Sequence, residues 1–369
     1  MLIEEYEYWL VNLNQIGIKK IDLLLQTFHT AGQIYYATKA ELQSFKDTIG
    51  SGTKFSDADI ETILNSRNPE KIHKDYTKLE RNGIYFVSRR NQAYPKKLIN
   101  IYDPPQGLYV KGRLPKEQEK VLAIIGAREC SAYGREMAKY FAAEMAKEGI
   151  SIISGLARGI DSYAHEGALV SGGRTYAVLG CGIDTCYPKE NLNLYLELQK
   201  EGAVISEYAP GIKPLAGNFP MRNRIISGMS DGIFVIEARE KSGSLITVDM
   251  GLEQGKNIYV LPGRIIDRLS CGCNNLLKMG AKLVTSPKDI LEDLIPNYIQ
   301  NKKEMKKNNI FLETNGKIVY ACLSLEPIHI EEIALKTGLS FDLIMEQLLL
   351  FELQGLARQT MKNYYIVQN

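Results

Sequence analysis

The chain has 369 residues, of which 45% are hydrophobic and 24% charged, a composition typical of a globular protein with about two to three domains. Its 45 Lys and Arg residues barely exceed its 43 Asp and Glu residues, so the chain is no polycation and any nucleic-acid site must be a local basic patch. The absence of a membrane-spanning apolar run and of a signal-peptide pattern argues against a membrane partner and predicts a cytoplasmic protein.

Cysteine and histidine usage argues against a metal centre. The six cysteines include no Cys-x-x-Cys pair and the four histidines are scattered, so we expect neither a metal nor a cofactor. In a cytoplasmic protein, thiols at such spacings are expected to be reduced.

Residues 1–75 form the first predicted domain, which is small and all-α. Apolar residues recur at helical spacing in short segments that glycines interrupt, with a loop at 50–52. Such segments are typical of helix-hairpin-helix modules, which bind nucleic acid or associate with a second copy. They are equally typical of a domain that serves only for packing, and the sequence leaves both roles open.

Residues 80–295 form the second predicted domain. Two short apolar segments, 84–87 and 108–110, come first and are expected to extend the main sheet. The strands that follow are continuously apolar and alternate with helices, which predicts a parallel, doubly wound sheet covered on both faces. The predicted strands are 121–125, 150–154, 176–179, 203–205, 232–236, 258–261 and 283–285, and the predicted helices are 134–147, 160–170, 191–200, 223–229, 244–254 and 274–279.

Two turns of this domain place glycine and arginine directly after a strand. Gly126 and Arg128 follow the first long strand, and Gly155, Arg158 and Gly159 follow the second. Glycine lets the backbone approach a phosphate, and the helix that starts at each turn presents free amides to it. Because ligands of such sheets bind beyond the carboxyl ends of the strands, both turns are expected at one rim.

A third basic cluster follows Phe219. It consists of Arg222, Asn223 and Arg224, and arginine forks match phosphate oxygens well. Three arginine-bearing segments with one aromatic ring among them indicate several consecutive phosphates with bases to stack. This pattern favours a strand of nucleic acid over one small nucleotide.

Internal roles are an alternative for some of these residues. Arg158 or Arg222 could instead brace Asp161 or Glu237 in an ion pair. Asp161 and His165 share a helix face and could form an acid/base pair. A helix cap is the better interpretation of Asp161, because no nucleophile or third ligand lies at motif spacing.

The best-known nucleotide and nucleophile motifs are missing. The domain has no Gly-x-x-x-x-Gly-Lys-Ser/Thr segment and no complete dinucleotide fingerprint, which disfavours nucleoside triphosphate hydrolysis and NAD chemistry. Ser242, Gly243 and Ser244 precede a helix without a Gly-x-Ser-x-Gly elbow, so they are expected to cap it or to cradle a phosphate.

The last part of the chain predicts a linker and a winged helix. Residues 296–310 are rich in Lys, Asn and Gln, as connectors are. Residues 311–369 contain three helical segments and an alternating β-hairpin. The third helix, 341–353, has no Lys or Arg, so we favour a protein-interaction or regulatory role over DNA reading for this domain.

In their order along the chain, the motifs of residues 94–294 resemble the DNA-processing protein A family, DprA, also called Smf. The resemblance is carried by Gly126-Ala127-Arg128 with Ser131, Ser154-Gly155-Leu156-Ala157-Arg158-Gly159, Phe219-Pro220-Met221-Arg222-Asn223-Arg224, Ser242-Gly243-Ser244 and Pro262-Gly263. It implies an extended Rossmann-like fold that binds single-stranded DNA, protects it and loads the RecA recombinase during natural transformation. It further implies a homodimer that is not an enzyme.

The resemblance also implies which residues contact the DNA. They belong to the first arginine turn, the Ser-Gly-x-Ala-Arg-Gly turn and the Phe-Pro-x-Arg-Asn-Arg segment. The phosphate cradle that Ser242, Gly243 and Ser244 could form completes the expected site. The expected DNA-binding residues are Gly126, Arg128, Ser131, Ser154, Gly155, Arg158, Gly159, Phe219, Arg222, Asn223, Arg224, Ser242, Gly243 and Ser244.

Two other functions fit parts of the pattern. The same type of sheet supports nucleotide phosphoribohydrolases, for which Asp161, His165 or Glu237 would supply the acid and base. A winged helix behind a ligand-sensing core would instead suit a transcription regulator, in which residues 310–369 would carry the DNA binding.

Overall fold

A computed structural model describes residues 1–13, 15–49, 55–298, 314–324, 326–353 and 356–367. The chain forms two compact units, Met1–Pro296 and Asn297–Asn369. The predicted loop at 50–52 and residues 299–310 of the predicted linker lie outside the described residues.

Six helices open the first unit, and polar caps start several of them. Thr38 and Ser56 each exchange hydrogen bonds with the residue three positions on, Glu41 and Asp59. The apolar faces meet in a core of their own around Trp9, Leu24, Ile34, Leu42 and Ile63. The helices are α1 (Ile3–Val11), α2 (Ile18–Phe28), α3 (Ala31–Tyr36), α4 (Lys39–Thr48), α5 (Asp57–Asn65) and α6 (Pro69–Arg81).

A nine-stranded sheet forms the centre of the first unit. Its strands are β1 (Tyr85–Ser88), β2 (Gly107–Gly112), β3 (Val121–Ile125), β4 (Ser151–Ser154), β5 (Thr175–Leu179), β6 (Ala203–Ser206), β7 (Gly232–Val235), β8 (Asn257–Val260) and β9 (Lys282–Leu283). They lie in the order β1-β2-β6-β5-β4-β3-β7-β8-β9. Strands β3 to β9 are parallel, whereas β1 and β2 are antiparallel additions at one edge. The predicted mostly parallel sheet and its two-strand extension are confirmed.

Helices cover both faces of this sheet. They are α7 (Lys96–Ile99), α8 (Ala132–Lys147), α9 (Ile160–Val170), α10 (Leu192–Glu201), α11 (Asn218–Met229), α12 (Gly243–Glu253), α13 (Cys271–Lys278) and α14 (Pro287–Leu294). In β5, Tyr176 and Val178 join a core with α7, α11, α12 and α13, while Ala177 and Leu179 join one with α10. Burial on both faces explains why the strands are continuously apolar.

Strand β3 marks the point where the strand order reverses. Strands β4, β5 and β6 follow on one side of it, and β7, β8 and β9 lie on the other. The carboxyl ends of β3 and β7 are therefore neighbours from which the chain leaves in different directions, and a crevice opens between them.

The third basic cluster lies on a helix and not in a turn, which corrects the predicted helix 223–229. Helix α11 begins at Asn218, five residues earlier than predicted. Pro220 is tolerated there because the amides of a first helical turn need no partner within the helix. As a result, Arg222 and Arg224 point into the protein and are 4% and 5% exposed.

The N-terminal helices are bound to the antiparallel edge of the sheet. The Tyr109 hydroxyl of β2 donates to Asn12 Oδ1 at 2.8 Å, and Gln106 Nε2 donates to Asp22 Oδ1 at 2.8 Å. The ring of Tyr8 packs edge-on against the rings of Phe86 and Tyr109. The division of the first unit between residues 75 and 80 stays a prediction.

The second unit is a winged helix, as predicted. It contains α15 (Thr314–Ala321), β10 (Ile328–His329), α16 (Ile330–Thr337), α17 (Phe341–Leu353), β11 (Ala357–Met361) and β12 (Tyr364–Val367). The strands pair in the order β10-β12-β11. Val319, Ile333, Ile344, Leu348 and Phe351 form its core.

All six cysteines are free thiols. Among the described helices, none combines the length and the apolar character that a membrane crossing requires.

Candidate nucleic-acid interface

A pocket of about 740 Å³ lies at the carboxyl ends of β3 and β7, where the strand order reverses. The turn after β3, the start of α11, the loop after β7 and the start of α12 form its walls. Eight of the predicted site residues line it, namely Gly126, Arg128, Phe219, Arg222, Asn223, Ser242, Gly243 and Ser244.

The two glycine turns pack directly against each other. Gly159 has a φ of 75°, and a Cβ there would lie 2.3 Å from the Ala127 carbonyl oxygen. A Cβ on Gly126 would lie 2.6 Å from the Ile160 side chain. The turns after β3 and β4 fit together only with glycine at these two positions, which explains the glycines without requiring a phosphate.

Arg128 and Phe219 form the exposed side of the pocket. The Arg128 guanidinium lies over the Phe219 ring, with its carbon 5.7 Å from the ring centroid. The ring of Tyr187 lies 5.5 Å from that of Phe219, centroid to centroid. The pocket therefore presents an exposed cation beside two aromatic faces, the combination that binds phosphates and stacks bases.

The start of α12 supplies a second anion-binding element. Ser242 caps the helix, with its Oγ accepting from the Ser244 amide at 3.4 Å and lying 2.7 Å from the Ser244 hydroxyl. Gly243 leaves open space in front of the helix start, since no atom lies within 4 Å of where its Cβ would be. Free amides and the helix dipole make this end of α12 suitable for a phosphate.

Arg222 lies beneath the pocket and joins two loops. Its guanidinium donates to the Gly155 carbonyl at 2.7 Å and to the Val178 carbonyl. Burial lowers the pKa of Arg222 to about 10, although the nearby charge of Asp161 acts to raise that pKa. Burial likewise raises the pKa of Asp161, which accepts bonds from the Gly155 and Ala157 amides. Arg222 and Asp161 thus influence each other's charge, and both side chains bond to the backbone of Gly155.

Arg224 is not brought to the pocket. Its Nη2 donates to both oxygens of Glu207, at 2.7 and 2.9 Å, and its Nε lies 3.6 Å from Asp103 Oδ2. This buried network joins α11 to the loops after β6 and before β2.

Arg158 lies in an adjoining pocket of about 50 Å³ that Arg128, Gly155, Tyr187 and Phe219 also line. It is exposed and pairs with Glu190, so a phosphate would have to displace a carboxylate there. Exposed pairs of this kind are weak and are readily exchanged for another anion.

Three predicted residues play structural parts. Ser131 caps α8 by accepting from the Gly134 amide at 3.0 Å, and its own amide donates to Glu237. The Ser154 hydroxyl donates to the Ile124 carbonyl at 2.7 Å, which ties β4 to β3. Gly159 holds the turns together, as described above.

The candidate acid and base groups are engaged within the protein. His165 is fully buried and its Nδ1 lies 2.6 Å from the Thr175 hydroxyl; burial, with the charge of Arg222, lowers the pKa of His165 to about 3. A neutral, inaccessible imidazole is unsuited to proton transfer with a ligand. The Glu237 carboxylate accepts hydrogen bonds from the amide and the hydroxyl of Ser131.

Three residues of the pocket escaped the sequence prediction. Arg239 and Lys241 follow β7, and Tyr187 follows β5. The signal for the two cations was available, because they come directly after Glu237-Ala238 at a predicted strand end. The position of Tyr187 depends on a loop path that the sequence does not reveal.

Comparison with known proteins gives the context for this pocket. Residues 85–295 match the family DNA recombination-mediator protein A, and residues 312–360 match the DprA winged helix domain. A DNA processing protein DprA from Streptococcus pneumoniae is 40% identical over 242 residues, which cover 64% of this chain and 86% of that protein.

Solved structures with a similar fold include two relatives. The S. pneumoniae DNA processing protein A superposes with a TM-score of 0.69 at 34% identity, covering 80% of this chain and 99% of that one. A structure of the Helicobacter pylori DNA processing protein A that concerns its single-stranded DNA binding mode has a TM-score of 0.52 at 31% identity, covering 58% of this chain and 97% of that one.

Proposed function

We propose, because this chain belongs to the DNA recombination-mediator protein A family (DprA or Smf), that it binds single-stranded DNA without regard to base sequence. The observation that carries the proposal is the pocket at the β3–β7 crevice, where exposed Arg128 lies over the ring of Phe219 and exposed Lys241 directly precedes the cap of α12. Phosphates would lie against the cations and the helix start, and bases would stack on Phe219.

Arg222 and Arg224 take a different part in this proposal. Their guanidinium groups are buried and bonded within the protein: Arg222 supports the pocket from below, and Arg224 holds α11 against the loop after β6. Arg158 would join the phosphate contacts by exchanging Glu190 for the DNA. Ser131, Ser154, Gly155 and Gly159 would fix the turns that carry Arg128 and Arg158.

The cellular role follows from the family. We infer a part in the processing of incoming DNA during transformation, in the cytoplasm and without catalysis by this chain. Protection of the strand, loading of RecA onto it and action as a homodimer complete the proposal. The buried state of His165 and the engaged state of Glu237 support a binding protein over a phosphoribohydrolase.

The test is fluorescence anisotropy of a labelled oligothymidine at two salt concentrations, with the matching duplex as competitor. We expect tight, salt-sensitive binding for which the duplex competes poorly. Arg128→Ala should weaken binding and reduce the slope of log affinity against log salt by about 0.7, the value for one lost phosphate contact on a single strand.

Arg113→Ala is the matched control. Arg113 is exposed but directly follows the end of β2, which pairs with the first residues of β6. Arg113 therefore lies at the amino ends of the parallel strands, whereas the pocket lies at their carboxyl ends. Arg113→Ala should leave unchanged both the affinity for oligothymidine and the slope of log affinity against log salt. Equal effects of both variants, or a preference for the duplex, would count against the proposed pocket.

A further inference from the structure

The loop that follows β8 is an unusual surface, defined here as residues 263–270. Ile265 and Ile266 stand at its tip with 90% and 82% of their surfaces exposed. Arg264 and Arg268 flank them and are also exposed, and the loop contains one acid, Asp267. Two adjacent, nearly fully exposed isoleucines between two arginines present apolar surface and positive charge together.

This loop directly adjoins the pocket. The Ala238 amide donates to the Leu269 carbonyl at 2.7 Å, and the Gly272 amide donates to the Ala238 carbonyl at 2.9 Å. The residue after Ala238 is Arg239, which lines the pocket. Because β7 and β8 are parallel neighbours, their loops lie side by side on the same rim of the sheet.

The loops after β7 and β8 carry four exposed cations against two exposed acids, Glu240 and Asp267. Arg239, the first of the four, pairs with Glu129. On the β8 side, Lys241 is followed by Arg264 and Arg268 on the next loop. A polyanion that leaves the pocket on this side is attracted along these two loops.

We propose that the loop 263–270 is a second binding site for the same DNA strand, which takes the nucleotides that extend beyond the pocket. Arg264 and Arg268 bind backbone phosphates, and Ile265 and Ile266 cover the faces of unpaired bases. The site selects single strands, since only unpaired bases offer their faces to the isoleucines. This inference rests on the proposed function of the pocket. It adds the direction in which the DNA strand leaves the pocket and a longer stretch of strand that the protein contacts.

The test measures affinity as a function of strand length, with oligothymidines from about 4 to about 24 nucleotides at several salt concentrations. For the parent, affinity should rise steeply once a strand is long enough to reach the loop. Arg264→Ala/Arg268→Ala should bind short strands like the parent. On long strands it should reduce the salt slope by about 1.4, the value for two phosphate contacts.

The isoleucines are tested separately with Ile265→Ser/Ile266→Ser. This variant should weaken binding of long strands several-fold with an unchanged salt slope, because no phosphate contact is lost. Val170→Ser is its control, since Val170 is 88% exposed at the far end of α9. The control for the arginines is Arg113→Ala/Arg174→Ala, which changes two cations at the amino ends of the parallel strands, away from the pocket.

The outcomes separate the two proposals. If the loop variants match the parent at every length while Arg128→Ala weakens all of them, the loop site is wrong and the pocket stands. If the parent binds no strand of any length, the proposed function fails first. Loop variants that weaken short and long strands equally would also overturn the second site, because they would place the loop within the pocket.

Discussion

Arg222 lines the pocket, yet its guanidinium is bonded to backbone carbonyls of the protein itself. Its guanidinium satisfies the carbonyls of Gly155 and Val178 and balances the charge of Asp161. The sequence indicated both this role and a phosphate contact. It could not decide between them, because the choice depends on where α11 begins and therefore on which side of the helix faces inward.

Replacement of Arg222 by alanine should be strongly destabilising. It removes a buried guanidinium that donates to the Gly155 and Val178 carbonyls, and for these two hydrogen bonds from a charged donor we expect a loss of about 3–5 kcal/mol in the free energy of unfolding. Urea unfolding followed by circular dichroism measures this. Arg222→Lys keeps the positive charge but not the several N–H donors of the guanidinium, and it should lose less stability than Arg222→Ala. An Arg222→Ala protein that is as stable as the parent but binds DNA poorly would instead identify a direct contact.

The interlocking of the turns after β3 and β4 sets the geometry of the pocket at the level of elements. Strand–turn–helix units could be predicted from the sequence because apolar runs, glycines and helical periodicity are local signals. The contact between the two turns could not be predicted from the sequence, because it depends on β3 and β4 being neighbours in the sheet. The same limit applies to Tyr187 beside Phe219.

Gly159→Ala tests that meeting of turns against Gly172→Ala, which shares the positive φ but not the ψ of −131° that Gly159 adopts and that side chains avoid. Gly159 and Gly172 have φ values of 75° and 69°, but only at Gly159 would a Cβ collide with the backbone, 2.3 Å from the Ala127 oxygen. Gly172→Ala should cost about 1–2 kcal/mol for its left-handed conformation alone. Gly159→Ala should cost clearly more and weaken oligothymidine binding. Equal losses in urea unfolding would show that the turns separate without penalty.

At the scale of the whole molecule, the two compact units predict a division of labour. The pocket and the adjoining loop belong to the first unit, and helix α17 of the second unit has no Lys or Arg. We therefore expect a chain that ends at residue 309 to bind single-stranded DNA with the affinity of the full chain. Anisotropy with the same oligothymidine checks this. Loss of binding on truncation would favour the transcription-regulator alternative.

The sheet order has a consequence for how the protein is made. The pocket joins the turn at Gly126 to the start of α12 at Gly243, because β3 and β7 are neighbours in space although more than a hundred positions separate them in the chain. During synthesis β3, β4, β5 and β6 emerge before β7 and can pair in sequence, but β3 lacks its second neighbour until β7 has left the ribosome. A nascent chain therefore has most of its sheet before it has the pocket, which can form only once synthesis has reached the start of α12 at Gly243.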